Sequence, residues 1–178
     1  MNISLFESEQ AQQVIQLFTD VFSAAEGDEE GRVIGELAAD LIADTNPKDL
    51  IGFIAHSSDA ILGCIFFSWF TVPNKEFSYI LSPVAVTTEH QRQGIGQKLI
   101  LFGLEYLKNQ GASLVFTYGD PAYYSQVGFE KISEDMIQAP FPLSQPIGWL
   151  AQSLDGKPLQ PMQGPTQCVD ALSHAKYW

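Results

Sequence analysis

The chain has 178 residues and a formal net charge of −12, with nine Lys and Arg against 21 Asp and Glu. That length suits one domain with its own core, and 46% apolar against 17% charged residues is the balance of a folded globule. Nine scattered cations argue against nucleic acid and anionic membranes as partners, because both require a basic surface. The acidic balance suits a cationic small molecule or peptide, although it is also typical of ordinary soluble proteins.

The chain carries no visible targeting or metal-binding signal. Its first residues lack the basic start and long apolar stretch of a secretory signal, and no apolar run reaches the roughly 18 residues that span a bilayer. Cys64 lies within an apolar run and is predicted to be a small buried hydrophobe, and the three histidines lack metal-ligand spacing. We therefore expect a cytoplasmic protein without a metal.

The first part of the chain predicts one short strand and two helices. Residues 2–6 alternate weakly in hydrophobicity, and apolar residues recur at helical spacing over 9–23 and over 32–43. The small, acidic stretch 24–31 between the two helices is expected to be a break in regular structure.

The spacing of apolar residues along the chain then changes to that of strands. Runs rich in Ile, Phe and Trp predict strands over 50–56 and 61–72, with a hairpin turn at 57–59. A third strand is predicted over 77–86, and Pro83 within it marks an edge, a bulge or a splayed pair. The short connections make these strands antiparallel.

A strongly apolar helix is predicted over 94–110 and is stopped by Gly111. The next strand, over 112–118, is reached only by this helical crossover. We therefore expect it to lie parallel to the strand over 77–86.

The last part of the chain is rich in proline. Asp120-Pro121 predicts the cap and first residue of a short helix that ends at Gly128. Six of the ten prolines fall between positions 140 and 165, and 147–154 is the one plausible strand there. We expect loops that wrap a single domain over 1–178, with a core over about 2–132 and an irregular extension over about 139–178.

The segment from Val84 to Lys98 carries the strongest chemical signal. A strand leads into a turn with glycines at 94 and 96, and the turn opens a helix. Unpaired backbone N–H groups and the helix dipole at such a start bind phosphate, and Arg92 and Lys98 would add charge. On spacing alone a purely structural turn remains the alternative, since neither the dinucleotide fingerprint nor the P-loop is complete here.

Two motifs at the expected separation resemble those of one family. Gln91-Arg92-Gln93-Gly94-Ile95-Gly96 resembles the Q/R-x-x-G-x-G/A motif of the GNAT superfamily of acyl-CoA N-acyltransferases, and Tyr123 to Phe129 resembles its Y-x-x-x-G-F segment. The order of elements over 2–132 also fits. The resemblance implies an α/β (α+β) GNAT fold: a mixed central sheet with an antiparallel N-terminal meander, a splayed central parallel strand pair and flanking helices.

The resemblance also implies roles for particular residues. The backbone near Val84 and Val86 would hold the pantetheine arm of acetyl-CoA, and residues 91–96 its pyrophosphate. Tyr124 aligns with the family's frequent general acid, which protonates the departing CoA thiolate, although a core-lining aromatic is the alternative. The implied contacts to the co-substrate are Val84, Ala85, Val86, Gln91, Arg92, Gln93, Gly94, Ile95, Gly96, Gln97, Tyr123 and Tyr124.

The chain also departs from the family pattern. The asparagine that many members carry before this tyrosine is absent from 116–121, and the Gly-Asp-Pro-x-Tyr-Tyr segment resembles that of a bacterial subgroup. Asp120 is predicted to be a helix cap and not a catalytic acid. No general base is evident: Glu76, Ser78 and Tyr79 enter the strand before the motif, and a backbone carbonyl with a water chain would serve equally well.

Two functions remain open at this point. The first is an N-acetyltransferase that transfers the acetyl group of acetyl-CoA to a primary amine of a small molecule or peptide, by direct attack in a ternary complex. The second is a non-catalytic acyl-CoA-binding or sensing module that acts through a protein partner. Acidic residues in 26–30 either attract a cationic amine or form a solvated loop. Homodimers are common in the family, but no interface is specified by the sequence.

Overall fold

A computed structural model describes residues 1–58 and 60–178. The strands in these residues are β1 (Asn2–Leu5), β2 (Leu50–Ser57), β3 (Ala60–Trp69), β4 (Ser78–Val86), β5 (Leu114–Tyr118), β6 (Glu130–Lys131) and β7 (Trp149–Ser153). The α-helices are α1 (Ala11–Glu26), α2 (Asp28–Asp44), α3 (Ile95–Asn109) and α4 (Pro121–Tyr124).

The strands form one mixed sheet in the order β1-β2-β3-β4-β5-β7-β6. β1 and β2 are antiparallel, β4 and β5 are parallel, and β7 is antiparallel to both β5 and β6. The parallel pair is joined by the crossover helix α3, because parallel neighbours in a sheet need a long connection. The predicted fold class, a mixed sheet with an N-terminal antiparallel part, a parallel central pair and flanking helices, is confirmed.

The described residues cluster into two compact units, and several elements have residues in both. The first unit comprises Met1–Phe67 and Pro83–Gly103. The second comprises Ser68–Ser82 and Leu104–Trp178.

In the first unit, helices cover both faces of the strands. Phe18 of α1 stacks on Phe66 with ring centroids 6.0 Å apart, whereas Phe102 of α3 meets Phe53 edge-on at 5.5 Å. Phe53 in turn contacts Phe67. Because consecutive side chains of a strand point to opposite faces, Phe66 and Phe67 anchor the two helical layers on opposite sides of β3.

The close approach of α3 to the strands depends on Gly103. A Cβ at this position would lie 2.9 Å from Cζ of Phe67 and 3.2 Å from Cδ2 of Phe53, which are both fully buried. Gly103→Ala would gain about 1 kcal/mol of helix propensity, but overpacking costs about 1–3 kcal/mol. We expect net destabilisation, measured as a lower urea midpoint.

A second substitution that removes the contact with the Phe67 ring is the control for this prediction. Adding Phe67→Leu to Gly103→Ala should cost less than the sum of the two single changes, because leucine leaves room for the new methyl group. Strict additivity, or a stabilised single variant, would show that the contact does not limit packing.

The predicted break between the first two helices is wrong in its extent. α1 continues to Glu26 and α2 begins at Asp28, so only Gly27 separates them, with φ +103. Asp28, Glu29 and Glu30 form the first turn of α2 and not a solvated loop. Negative charge at this end of a helix is stabilised by the helix dipole.

Strand β4 contains a bulge, one of the alternatives that Pro83 indicated. Phe70 N donates to Ser78 O and Thr87 N donates to Leu62 O, so between these two bonds β3 advances eight residues and β4 nine. One residue of β4 is therefore unmatched on the β3 side. The other strand predictions agree with the structure within a few residues, and Asp59 of the predicted turn at 57–59 lies outside the described residues.

The proline-rich tail contributes to the core of the second unit. Trp149 of β7 stacks on Phe116 of β5 with centroids 5.4 Å apart, and its indole Nε1 donates to Ile137 O at 2.8 Å. Trp178 is also buried, and its Nε1 donates to Leu172 O at 2.9 Å. The one strand predicted for the tail is confirmed, and it lies inside the sheet rather than at its margin.

Candidate functional site

The start of α3 presents unpaired backbone amides. The first hydrogen bond of the helix runs from Lys98 N to Gly94 O at 3.0 Å, so the amides of Ile95 and Gly96 precede the helical ladder. Those N–H groups and the helix dipole together attract an anion. The structure has the helix start that the two glycines predict, and phosphate binding there stays a prediction.

Two residues of this turn have left-handed backbone conformations. Gly94 has φ +77, and Arg92 has φ +60, which is unusual for a residue with a side chain. Alternating conformations of this kind turn successive N–H groups toward one concavity, which binds anions. The nearest atom to a Cβ at Gly94 would be Oε1 of Gln97, 3.9 Å away, so the outer side of the turn is open.

The turn is held in shape by its own side chains. Gln91 Nε2 donates to Val86 O at 3.1 Å, and Gln93 Nε2 donates to Glu89 O at 3.2 Å. The two glutamine side chains thus bind the backbone of the turn. The groups that the turn offers to a ligand are its backbone amides. Within residues 1–58 and 60–178, neither Arg92 nor Lys98 forms a salt bridge.

The strand before the turn loses its neighbour on one side. The pairing of β4 with β5 ends at Leu81 and Thr117, whereas β4 continues to Val86. Along this end of β4, Ala85 is buried, whereas Val84 and Val86 are partly exposed. This stretch supplies main-chain groups of the kind that an extended ligand uses when it adds to a sheet.

In the second unit, Tyr124 ends the short helix α4. The carboxylate of Asp120 accepts a hydrogen bond from Ala122 N at 2.9 Å, and Pro121 is the first helical residue. The prediction that Asp120 is a cap is confirmed. The Tyr124 ring contacts Phe129 edge-on at 5.7 Å and Tyr123 at 5.1 Å.

The phenol of Tyr124 is held in its protonated form. Its pKa is raised to about 12, chiefly because burial disfavours the phenolate; a hydrogen-bonding contribution from Thr117 opposes this rise, and the charges of Tyr123 and Asp120 add to it. At neutral pH the hydroxyl is therefore a proton donor and not a base.

The cap role of Asp120 gives a prediction that separates structure from catalysis. Asp120→Ala should cost about 1 kcal/mol of stability, whereas Asp120→Asn should cost little because asparagine caps equally well. Asp120→Asn should also preserve kcat, since it removes a charge that raises the pKa of Tyr124. Urea unfolding and acetyl-transfer rates test both, and a large loss of kcat in Asp120→Asn would indicate a catalytic carboxylate instead.

The three candidates for a general base differ in how exposed their side chains are. Ser78 is fully buried and donates its hydroxyl hydrogen to Phe70 O, and Tyr79 is 3% exposed. Glu76 is exposed, and its carboxylate accepts a hydrogen bond from Asn74 Nδ2 at 2.8 Å. Of these three residues, only Glu76 is exposed.

The described residues give little support to a cysteine nucleophile or a metal site. Burial raises the pKa of the Cys64 thiol well above its ordinary value and that of Cys168 to about 11, so both stay protonated. Residues 1–58 and 60–178 contain no group of three or more His, Cys, Asp or Glu placed to hold a metal ion. No helix in that part of the chain is long and apolar enough to span a bilayer.

The predicted co-substrate residues form two groups. In the first unit, residues 84–86 and 91–97 are joined by the bond from the Gln91 side chain to Val86 O. In the second unit, Tyr123 and Tyr124 are in ring contact. Sequence reasoning missed Gly119, whose backbone lies against the ring of Tyr124. Its place directly before Asp120-Pro121 is the one signal in the sequence that could have found it.

The family of this chain is shown by comparison with known proteins. Residues 11–129 match the model of the acetyltransferase (GNAT) family. The chain belongs to this family, and the family predicted from the sequence is thereby confirmed.

Individual relatives agree with this assignment. The chain is 32% identical over 141 residues to YjhQ of Escherichia coli (strain K12), an uncharacterized N-acetyltransferase. The aligned region covers 76% of this chain and 77% of YjhQ. The fold of this chain is similar to that of E. coli YhbS in complex with CoA, with a TM-score of 0.79 and 23% identity. The match covers 97% of this chain and 92% of the YhbS chain. A GNAT acetyltransferase of Brucella melitensis in complex with acetyl-CoA gives a TM-score of 0.71, 25% identity and coverage of 96% and 97%.

Proposed function

We propose that the protein is an acetyl-CoA-dependent N-acetyltransferase that acetylates a primary amine of a small molecule or peptide. The observation that carries this proposal is the start of α3, where amides of Ile95 and Gly96 precede the helical ladder beside left-handed Gly94. Family membership and solved relatives that hold CoA or acetyl-CoA support the same co-substrate.

The proposed binding mode follows the backbone of β4 and the turn after it. The pyrophosphate of CoA binds the amides of residues 94–96, and Arg92 and Lys98 add local positive charge. The pantetheine arm extends along Val84 and Val86, where β4 has no β5 partner. Oriented amides thus let an acidic protein bind a polyanionic co-substrate.

The proposed reaction is direct transfer. The amine nitrogen attacks the thioester carbon, the C–S bond breaks, and the proton lost by the amine passes to solvent. Tyr124 donates its phenolic proton to the departing thiolate and is reprotonated from solvent, so the net products are an N-acetyl amine and free CoA thiol.

The pKa of Tyr124 sets how this donation proceeds. The pKa of this phenol, about 12, exceeds that of a typical thiol, about 8.5, by about 3.5. Proton transfer from the phenol to the thiolate therefore costs roughly 5 kcal/mol. Complete transfer is therefore uphill in the unliganded site. Tyr124 acts first as a hydrogen-bond donor to the sulfur, and any group that lowers its pKa assists the step.

The experiment measures release of free CoA thiol from acetyl-CoA across a library of amines. We expect release that depends on the amine, strongest with cationic acceptors because the chain carries a net charge of −12. A module that senses acyl-CoA would bind acetyl-CoA without releasing thiol. Binding without turnover across a broad library would overturn the enzymatic proposal.

A further inference from the structure

The ring of Tyr124 lies directly against the backbone at Gly119. A Cβ at Gly119 would lie 2.6 Å from Cε2 of Tyr124, 3.4 Å from Cδ2 and 3.6 Å from Cζ. The φ of Gly119 is outside the left-handed region, so backbone conformation does not demand glycine there. The contact with the ring is what excludes a side chain at this position.

The backbone that carries Gly119 is itself fixed. Gly119 N donates to Gly148 O at 3.0 Å, directly after the last residue of β5. On the other side, Phe129 meets the Tyr124 ring edge-on at 5.7 Å. The ring is therefore confined between a rigid backbone segment and a buried phenylalanine.

We propose that Gly119 is a positioning residue for acetyl transfer, because its contact with the ring fixes the place of Tyr124. This inference rests on the proposed function of Tyr124 as the proton donor. Gly119 does not touch the reacting atoms and acts through Tyr124.

The first test displaces the ring. Gly119→Ala should lower kcat by about 10-fold or more, because small displacements of a catalytic group are costly, with the KM for acetyl-CoA unchanged. In a Tyr124→Phe background the same change should cause no further loss, because Gly119 acts only through the phenol. An equal loss in both backgrounds would overturn the positioning role.

A matched control separates stability from positioning. Gly111 has φ +90, and a Cβ there meets nothing within 4 Å, so Gly111→Ala strains the backbone without touching Tyr124. It should lower the urea midpoint and leave kcat intact. If Gly111→Ala lowers kcat as much as Gly119→Ala does, destabilisation alone explains the effect and the inference fails.

The second test needs no activity. In protein labelled with 13C at tyrosine Cζ, the Tyr124 signal is assigned by its loss in Tyr124→Phe. Gly119→Ala should shift that signal, because the new methyl group displaces the ring, whereas Gly111→Ala should leave it in place. An unchanged signal in Gly119→Ala would refute the positioning role alone. Full activity of Tyr124→Phe would refute the acid function, and the positioning role with it, even where the signal shifts.

Discussion

Tyr124→Phe is expected to lower kcat about 100-fold, the lower end of the usual contribution of a general acid, while the affinity for acetyl-CoA stays nearly unchanged. The change removes one hydroxyl and keeps the ring that packs against Phe129. Without the phenol, the departing thiolate develops its charge with no donor beside it. Steady-state kinetics and direct binding measurements separate the two effects.

A chemically identical control lies in the same unit. The hydroxyl of Tyr177 is buried and has no hydrogen-bond partner among the described residues, so Tyr177→Phe loses no contact. It should retain full kcat and at least wild-type stability, because an unpartnered buried hydroxyl is unfavourable. If Tyr124→Phe matches Tyr177→Phe in rate, Tyr124 is a core aromatic and not the proton donor.

Gly94→Asp is expected to weaken acetyl-CoA binding about 100-fold, because hydrogen bonds to charged groups contribute about 1.5–3 kcal/mol each. Gly94 is the residue whose carbonyl accepts the first helical bond of α3. An aspartate there caps the amides of the next turn with its own carboxylate, and its charge repels the pyrophosphate. Titration calorimetry with acetyl-CoA measures the loss.

Gly94→Asn is the matched control for that experiment. Asparagine has nearly the same shape, also tolerates the φ of +77, and carries no charge. The difference between the two variants isolates the electrostatic part, and it should shrink as salt is added. Equal affinities of Gly94→Asp and the wild-type protein would show that the pyrophosphate binds elsewhere.

The parts of the fold that sequence predicts well are those with local signals. The turn at Gly94 and the cap at Asp120 are specified by residues within one helical turn, and α3 by its apolar run. The parallel placement of β5 follows from chain connectivity, since a helical crossover leaves little choice. These predictions needed no knowledge of distant contacts.

The parts that sequence misses have local signals that can be interpreted in more than one way. The polar stretch 24–31 indicated a break, but the break shrinks to Gly27 because the carboxylates of Asp28 to Glu30 are favourable at a helix start. The contact of Gly119 with Tyr124 depends on how α4 folds back onto the end of β5, and a glycine before Asp120-Pro121 does not by itself reveal that contact.

The insertion of β7 between β5 and β6 has a consequence for the order of folding. Trp149, where β7 begins, follows the end of β5 by 31 residues. Among residues 1–58 and 60–178, β6 has no strand partner other than β7. On a chain that grows from its N-terminus, β5 remains an open edge until the tail has been made. Late, non-local pairing slows folding and exposes such an edge to other chains. The second unit should therefore mature last and be the part of the nascent protein most in need of a chaperone.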